Sequence, residues 1–411
     1  MDFIAPSQTA ENKQYVKRSR SQNIFLILMI GALNTITPIS IDMYLPAFPK
    51  IAADMRTSIS NIALSVSTYF LGFAIGQIVY GPLLDRFGRK RPLYVGLCLY
   101  VIATIICALS KSVEMLWLVR FVQALSGCVA SVAAMAMVLD FFPPDKSARI
   151  ISLLILILGV SPMLAPTVGS FIVDVSNWRF VFVTLAIIAA IILIVVFFFL
   201  PEGQQPNPNV SLMPTPIING FKNILTTPKF YVYALAGTFS FAGLFVYVAG
   251  SPAIFMDEFH VSPKVYGGIF AGLSVGFIGS SQLNHILTRH FKNEEILKIV
   301  LITQSVVSII FLITVLNGWY SIASVLGFLF VLLACSGLTY PNAAAVAMSS
   351  FSKNAGTASS LLGFIQIGIG GLISAGVGAL HFKGSLVVAL IMAISASIAF
   401  GILMLGKKKS S

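Results

Sequence analysis

Charge is scarce in this chain. Only 10% of its 411 residues are Asp, Glu, Lys or Arg, whereas 57% are hydrophobic and the mean hydropathy is +0.93. A soluble globular domain cannot hide that much apolar surface, so the solvent must be lipid. Cysteine is scarce too: Cys98, Cys107, Cys128 and Cys335 all fall inside apolar segments, where they read as small hydrophobes rather than disulfides or metal ligands. Four scattered histidines give no metal-ligand spacing, and His285 and His290 fall at the end of the eighth apolar segment. There is no Walker loop, no histidine–carboxylate metal set and no nucleophile elbow, so neither a cofactor, nor a metal, nor catalysis is expected.

What the chain does have is long apolar runs. A bilayer core of about 30 Å needs about 20 apolar residues per helix. Twelve segments meet that need, near 24–45, 60–80, 92–110, 114–139, 148–173, 178–200, 229–250, 265–289, 296–317, 320–344, 354–380 and 385–406. The expected fold class is therefore an all-α membrane protein with twelve transmembrane helices. The longest polar interruption, residues 201–228, is rich in Pro, Asn and Gln and reads as an irregular linker. The expected organisation is a tail over 1–23, a six-helix bundle over 24–200, the linker over 201–228, a second bundle over 229–406 and a short tail over 407–411. Six helices followed by six is the pattern of parallel transporter repeats with a binding cavity between them.

The formal net charge of +12 would suit nucleic acid, but its distribution points elsewhere. Lys13, Lys17, Arg18 and Arg20, then Arg86, Arg89, Lys90 and Arg91, then Arg289, Lys292 and Lys298, then Lys407, Lys408 and Lys409 fall in the tails and alternate loops, all on one side of the membrane. The intervening loops carry few, such as Lys50, Arg56, Lys111, Arg179, Lys264 and Lys383. That is the positive-inside pattern, with both termini in the cytoplasm and no nucleic-acid partner. The polar start, followed by a full span with no small-residue cleavage site, reads as a retained first helix rather than a removed signal.

The second loop, "GPLLDRFGRKRPL" (Gly81 to Leu93), resembles the signature loop of the major facilitator superfamily, G-x-L-x-D-R-x-G-R-K-x-x-L, at every fixed position. Gly81 is expected to let a neighbouring helix come close, and Gly88 to permit a tight turn. Asp85 is an anion suited to the positive amino end of another helix. The resemblance implies helix eleven for that role, starting near Ala355-Gly356-Thr357, and makes Arg86, Arg89 and Lys90 part of a gating motif. Asp140 ends helix four on the same side as Arg89. An ion pair between them that holds the gate is one reading; an ordinary solvated acid is the other.

The first span ends in "NTITPISIDMYLPAFPK", where Asp42 stands close to hydrocarbon. A carboxylate is costly there and needs something to offset it. Asp42 on helix one and Arg120 on helix four lie at comparable depth, and intramembrane charges tend to face inward and pair. Pairing and burial act on a carboxylate's protonation in opposite senses, which suits a proton carrier. The alternative is that Asp42 only caps helix one at the interface. "SIDMYLPAFPK" is similar to the first-helix motif of the bicyclomycin-resistance branch of drug–proton antiporters, D-x-Y-L-P-x-x-P. "LVRFVQALSG", "PMLAPTVGS", "NWRFVF", "YVAGSP", "YPNAAA" and "GTASSLLGFIQ" agree with it in order along the chain.

The resemblance implies a proton-coupled antiporter that exports small organic molecules across the bacterial inner membrane, working as a monomer. Asp42 and Arg120 would couple protons, with Arg120 setting the affinity of Asp42. Gly159, Pro162, Pro166 and Gly169 resemble the antiporter motif of helix five, although Ala165 and Ser170 stand where glycines are usual. Candidate cavity residues are Asn34, Thr35, Tyr44, Tyr69, Gln123, Phe241, Phe245, Tyr247, Asn342 and Gln366. In some relatives an acid occupies the place of Asn34, so broad cation specificity is not expected here. Export of a siderophore or another metabolite shares the same motifs, and a non-transporting receptor or scaffold remains the reading from another class.

Overall fold

The computed structural model describes residues 19–143, 150, 154, 161, 164–203, 205–208, 221–351, 355–380 and 384–410. All regular structure within them is helical. The first group of helices comprises α1 (Arg20–Asp42), the short α2 (Phe48–Asp54), α3 (Ile59–Phe87), α4 (Lys90–Ala108), α5 (Val113–Phe141), α6 (Leu164–Val175) and α7 (Arg179–Phe199). A short α8 over 221–225 leads to α9 (Pro228–Pro252), α10 (Pro263–Leu287), α11 (Asn293–Leu316), α12 (Ile322–Met348), α13 (Ala355–Ala379) and α14 (Gly384–Ser410).

Helix starts are written in serine. The hydroxyls of Ser19, Ser58, Ser112, Ser262 and Ser321 each accept from a backbone N–H three residues on, at the heads of α1, α3, α5, α10 and α12. These caps satisfy donors that the helix itself leaves free. Gly88 ends α3 with φ +80°, a left-handed conformation that a side chain would strain, and the chain turns straight into α4.

Among the described residues, ten helices are long and apolar enough to cross a membrane, and Leu164–Val175 is a shorter apolar one. The chain is a multi-pass membrane protein. Helix α10 matches its neighbours in length but carries Ser280, Ser281, Gln282, Asn284 and His285 along its second half, which lowers its hydropathy. Most of the expected fifth span, 148–173, lies outside the described residues. The side chains of Phe197, Phe198 and Phe199 on α7 are exposed at the surface, where lipid is their solvent.

Helix α5 packs on α1, α3 and α4, and α7 covers α1 and α4; correspondingly, α12 packs on α9, α10 and α11, and α14 covers α9 and α11. The two sets share a packing device. A Cβ on Gly72 of α3 would overlap the carbonyl of Phe121 on α5, and a Cβ on Gly337 of α12 would overlap the carbonyl of Phe277 on α10. Without a hydrophobic drive between helices in lipid, such close backbone approach is what holds them together. The sets meet along α3 and α13. There Ser67 and Ser374 hydrogen-bond at 2.9 Å, and the rings of Phe70 and Phe245 stand 4.5 Å apart.

Candidate functional site

At the end of the bundle that carries the 81–93 loop, Arg89 is the hub. Its Nη1 donates to Asp85 Oδ1 and its Nε to Asp140 Oδ2, both at 2.8 Å. Burial works against its charge, but the hydrogen bond and charge of Asp140, then those of Asp85, outweigh it, so its pKa lies above the usual arginine value. Sequence reasoning missed a further member. Glu202, just past α7, accepts from the backbone N–H of Arg89 at 2.9 Å and of Lys90 at 3.3 Å, so a linker carboxylate caps the positive end of α4. Asn207 N–H donates to the Asp85 carbonyl at 3.2 Å. Arg86 lies over the Phe87 ring and Lys90 over the Tyr94 ring, each at 5.8 Å.

A cavity of about 420 Å³ opens beside this hub. Among the described residues its lining includes Asn34 of α1, Gln77, Gly81, Leu84 and Asp85 of α3, Arg89, Ser131 to Val132 and Met135 to Ala136 of α5, and Ser359 and Ser360 of α13. Asp85 thus faces the same space as the start of α13, the helix to which the resemblance assigned it. Gly81 corrects an expectation: a Cβ there would meet open space, so it borders the cavity instead of seating a helix.

Arg120 also departs from the expectation. It is fully buried and does not reach Asp42. Its Nη1 donates to Gln123 Oε1 at 2.7 Å, and its guanidinium carbon stands 4.2 Å from the Tyr69 ring centroid and 4.8 Å from that of Tyr44. Phe182 closes the cage at 5.9 Å. Gln123 in turn donates to Thr104 at 2.7 Å, Tyr44 bonds Ser65 at 3.0 Å, and Tyr100 meets Ser40. Cation–π attraction offsets part of the cost of burying this charge without a carboxylate. The sequence had suggested Tyr44, Tyr69 and Gln123 as cavity residues; instead they hold Arg120 inside the first bundle and are not among the lining residues of the cavity.

Asp42 ends α1 at the opposite end from the loop, 5% exposed, with no ion pair among the described residues. The phenols of Tyr247 on α9 and Tyr266 on α10 lie near enough to feel its charge. Gly169 of α6 makes room for the Met43 carbonyl just beyond it, and the 3₁₀ turn Leu45–Ala47 that follows packs on α9 and α10. Pro166 of α6 lies close to Gly267 of α10, so this end of the bundle is shut. Gly159 and Pro162 lie outside the described residues.

The remaining candidates sit in the second set of helices or near α1's middle. Thr35 Oγ1 bonds back to the Ala32 carbonyl at 2.9 Å. Tyr247 stacks on Phe270 at 5.1 Å, and the Phe241 ring lies 5.6 Å from Phe245. Asn342 donates to Asn284 at 2.6 Å, and Gln366 is buried on α13.

Matched helix sets, shut at one end and hollow from the other, are the arrangement of a membrane carrier. The chain belongs to the major facilitator superfamily: residues 30–375 match the model described as Major Facilitator Superfamily. It is similar to the "Bicyclomycin resistance protein homolog" of Haemophilus influenzae, 28% identical over 360 residues, 87% of this chain and 89% of the relative. It is also similar to the "Multidrug resistance protein MdtL" of Escherichia coli, 29% identical over 339 residues, 82% of this chain and 84% of the relative. Among solved structures, a bacterial homolog of the human lysosomal transporter Spinster shares the fold, with a TM-score of 0.73 at 16% identity, over 95% of this chain and 98% of the other. The protein is a membrane transporter of small molecules and not an enzyme.

Proposed function

We propose that this carrier exports small organic molecules, antibiotics or other drug-like compounds, from the bacterial cytoplasm in exchange for protons. It sits in the inner membrane with both termini cytoplasmic, as the positive residues of the 81–93 loop support, and it acts as a monomer. The names of the relatives, bicyclomycin resistance and multidrug resistance, support the substrate class.

One observation carries the coupling: Asp42 is an unpaired acid buried in the seam at the shut end, near two tyrosines of the other helix set. A carboxylate buried without a partner is expensive, so closing the seam and holding a proton on Asp42 favour one another. The outward-open form takes the proton from outside. The protonated acid lets the seam shut and the cytoplasmic cavity open. Substrate binding there favours release of the proton to the cytoplasm, and the loaded carrier turns outward. Arg120 acts without touching the acid: through its cage it anchors Tyr44, two residues beyond Asp42, and so fixes the end of α1.

The test is drug accumulation in cells expressing the carrier. Wild type lowers accumulation until an uncoupler is added, whereas Asp42→Asn, inserted at the same level, accumulates as much as cells without the carrier. Undiminished efflux by Asp42→Asn would retire the reading.

A further inference from the structure

Two flaps close the shut end, one from each helix set. After α1, the 3₁₀ turn Leu45–Ala47 packs on α9 and α10 of the other set and runs into α2. After α9, the π turn Ala253–Glu258 packs on α3 of the first set. Both flaps are apolar and buried, with Leu45 and Phe48 in one and Ile254 and Phe255 in the other. Each ends in a carboxylate that is bonded back to its own set.

Asp54 ends α2. Its Oδ2 accepts from the indole N–H of Trp178 at 3.1 Å and pairs with Arg179 Nη1 at 2.9 Å, where α7 begins. Trp178 is buried, and the Arg179 guanidinium lies over its ring at 4.3 Å. One turn before Asp54, Lys50 donates to the Val173 carbonyl in the last turn of α6. The two charges of α2 thus suit the helix ends they meet: the cation on the carbonyl end of α6, the anion at the amino end of α7.

Glu258 ends the π turn. It accepts from the backbone N–H of Ser385 at 2.8 Å, from the Ser385 hydroxyl at 2.7 Å and from the Tyr320 hydroxyl at 2.6 Å. Its carboxylate therefore caps the amino end of α14. Gly384 has no side chain to hold that end away from the Ala253 carbonyl. The two anchors differ in chemistry but correspond in place, because α7 and α14 are the last helices of their sets. We propose that Asp54 and Glu258 are the positioning residues of this gate, which the exporter reading above places on the outer face. Each ties its flap to the last helix of its own set, so the flaps leave the seam with the sets that carry them. A flap held only by packing across the seam works loose instead.

Maleimide labelling of the full-length carrier in detergent tests this. Cys98→Ser leaves only the buried Cys107, Cys128 and Cys335, and Ala47→Cys or Ala253→Cys places a buried reporter in one flap or the other. Labelling then reads how often that flap lifts. Glu258→Ala speeds labelling at position 253 about tenfold, as expected for losing a hydrogen bond to a charged group. Asp54→Ala speeds labelling at position 47 by about threefold, because a partly exposed ion pair is worth less. Cys107, Cys128 and Cys335 keep their wild-type rates. Transport by both variants falls in maximal rate with the apparent substrate affinity kept, since neither residue is among those lining the cavity. Should an Ala variant fail to fold, Arg179→Gln and Tyr320→Phe probe the same anchors from the other side, with smaller increases in labelling. Unchanged labelling in the flaps, an equal rise at the three buried cysteines, or full transport despite lifted flaps overturns the proposal. The labelling needs no proton, so a carrier that lacks proton coupling but shows these rates refutes the proposed exchange and leaves this inference standing.

Discussion

Arg120 shows how far depth along a helix can be trusted. Counting residues puts it level with Asp42, and the sequence therefore suggested a pair. Depth fixes height but not azimuth, and the two side chains leave their helices in different directions. Asp42 lies near the tyrosines of α9 and α10, while Arg120 points into its own bundle against Tyr44 and Tyr69. That a buried charge exists was legible; that aromatic rings would replace a carboxylate was not, because rings scattered over the turn after α1, over α3 and over α7 carry no local pattern. Among the described residues Gln123 is the hydrogen-bond acceptor for the guanidinium, whose Nε and Nη2 have none. Gln123→Leu should therefore destabilise the protein by about 1.5–3 kcal/mol, the worth of a hydrogen bond to a charged group. Thermal unfolding in detergent checks this, and a melting point equal to that of wild type would contradict it.

The helices themselves were the most legible elements, because twenty apolar residues in a row leave the backbone no alternative in lipid. The linker was not. Residues 201–228 have no periodicity, so nothing local announced that Glu202 would cap α4 or that Gly203 would nestle against Asp140 and Arg89. The pairing of Arg89 with Asp140 came from placing two charges on one side of the membrane; the third partner, Asp85, lies across the Gly88 turn from Arg89. Arg89→Asp and Asp140→Arg should each impair transport. The double exchange should recover it in part only, because Asp85 then faces a like charge at position 89. Transport rates of the three variants decide the matter, and a double variant no better than either single one would sink the idea of a gate held by this pair.

Across the whole molecule, the two helix sets repeat one plan with different chemistry. Ser40, Tyr100, Thr104 and Gln123 link α1, α4 and α5, and Ser240, Gln304, Ser336 and Thr339 link α9, α11 and α12 in the same relation. Only the first network contains a charge. Two internally bonded bodies meeting along α3 and α13 are suited to rock as units. The bond between Ser67 and Ser374 marks where they must part when the shut end opens. In a Cys98→Ser background, oxidising a Ser67→Cys/Ser374→Cys variant should stop transport and a reductant should restore it; transport through the oxidised form would show that this seam does not open. The central claim is that Asp42 gives up and regains a proton as those bodies move. The most direct measurement is lumenal pH in dye-loaded proteoliposomes when substrate is added. Wild type should shift the pH and Asp42→Asn should leave it flat while still exchanging substrate for substrate; an equal pH shift in both would contradict the account.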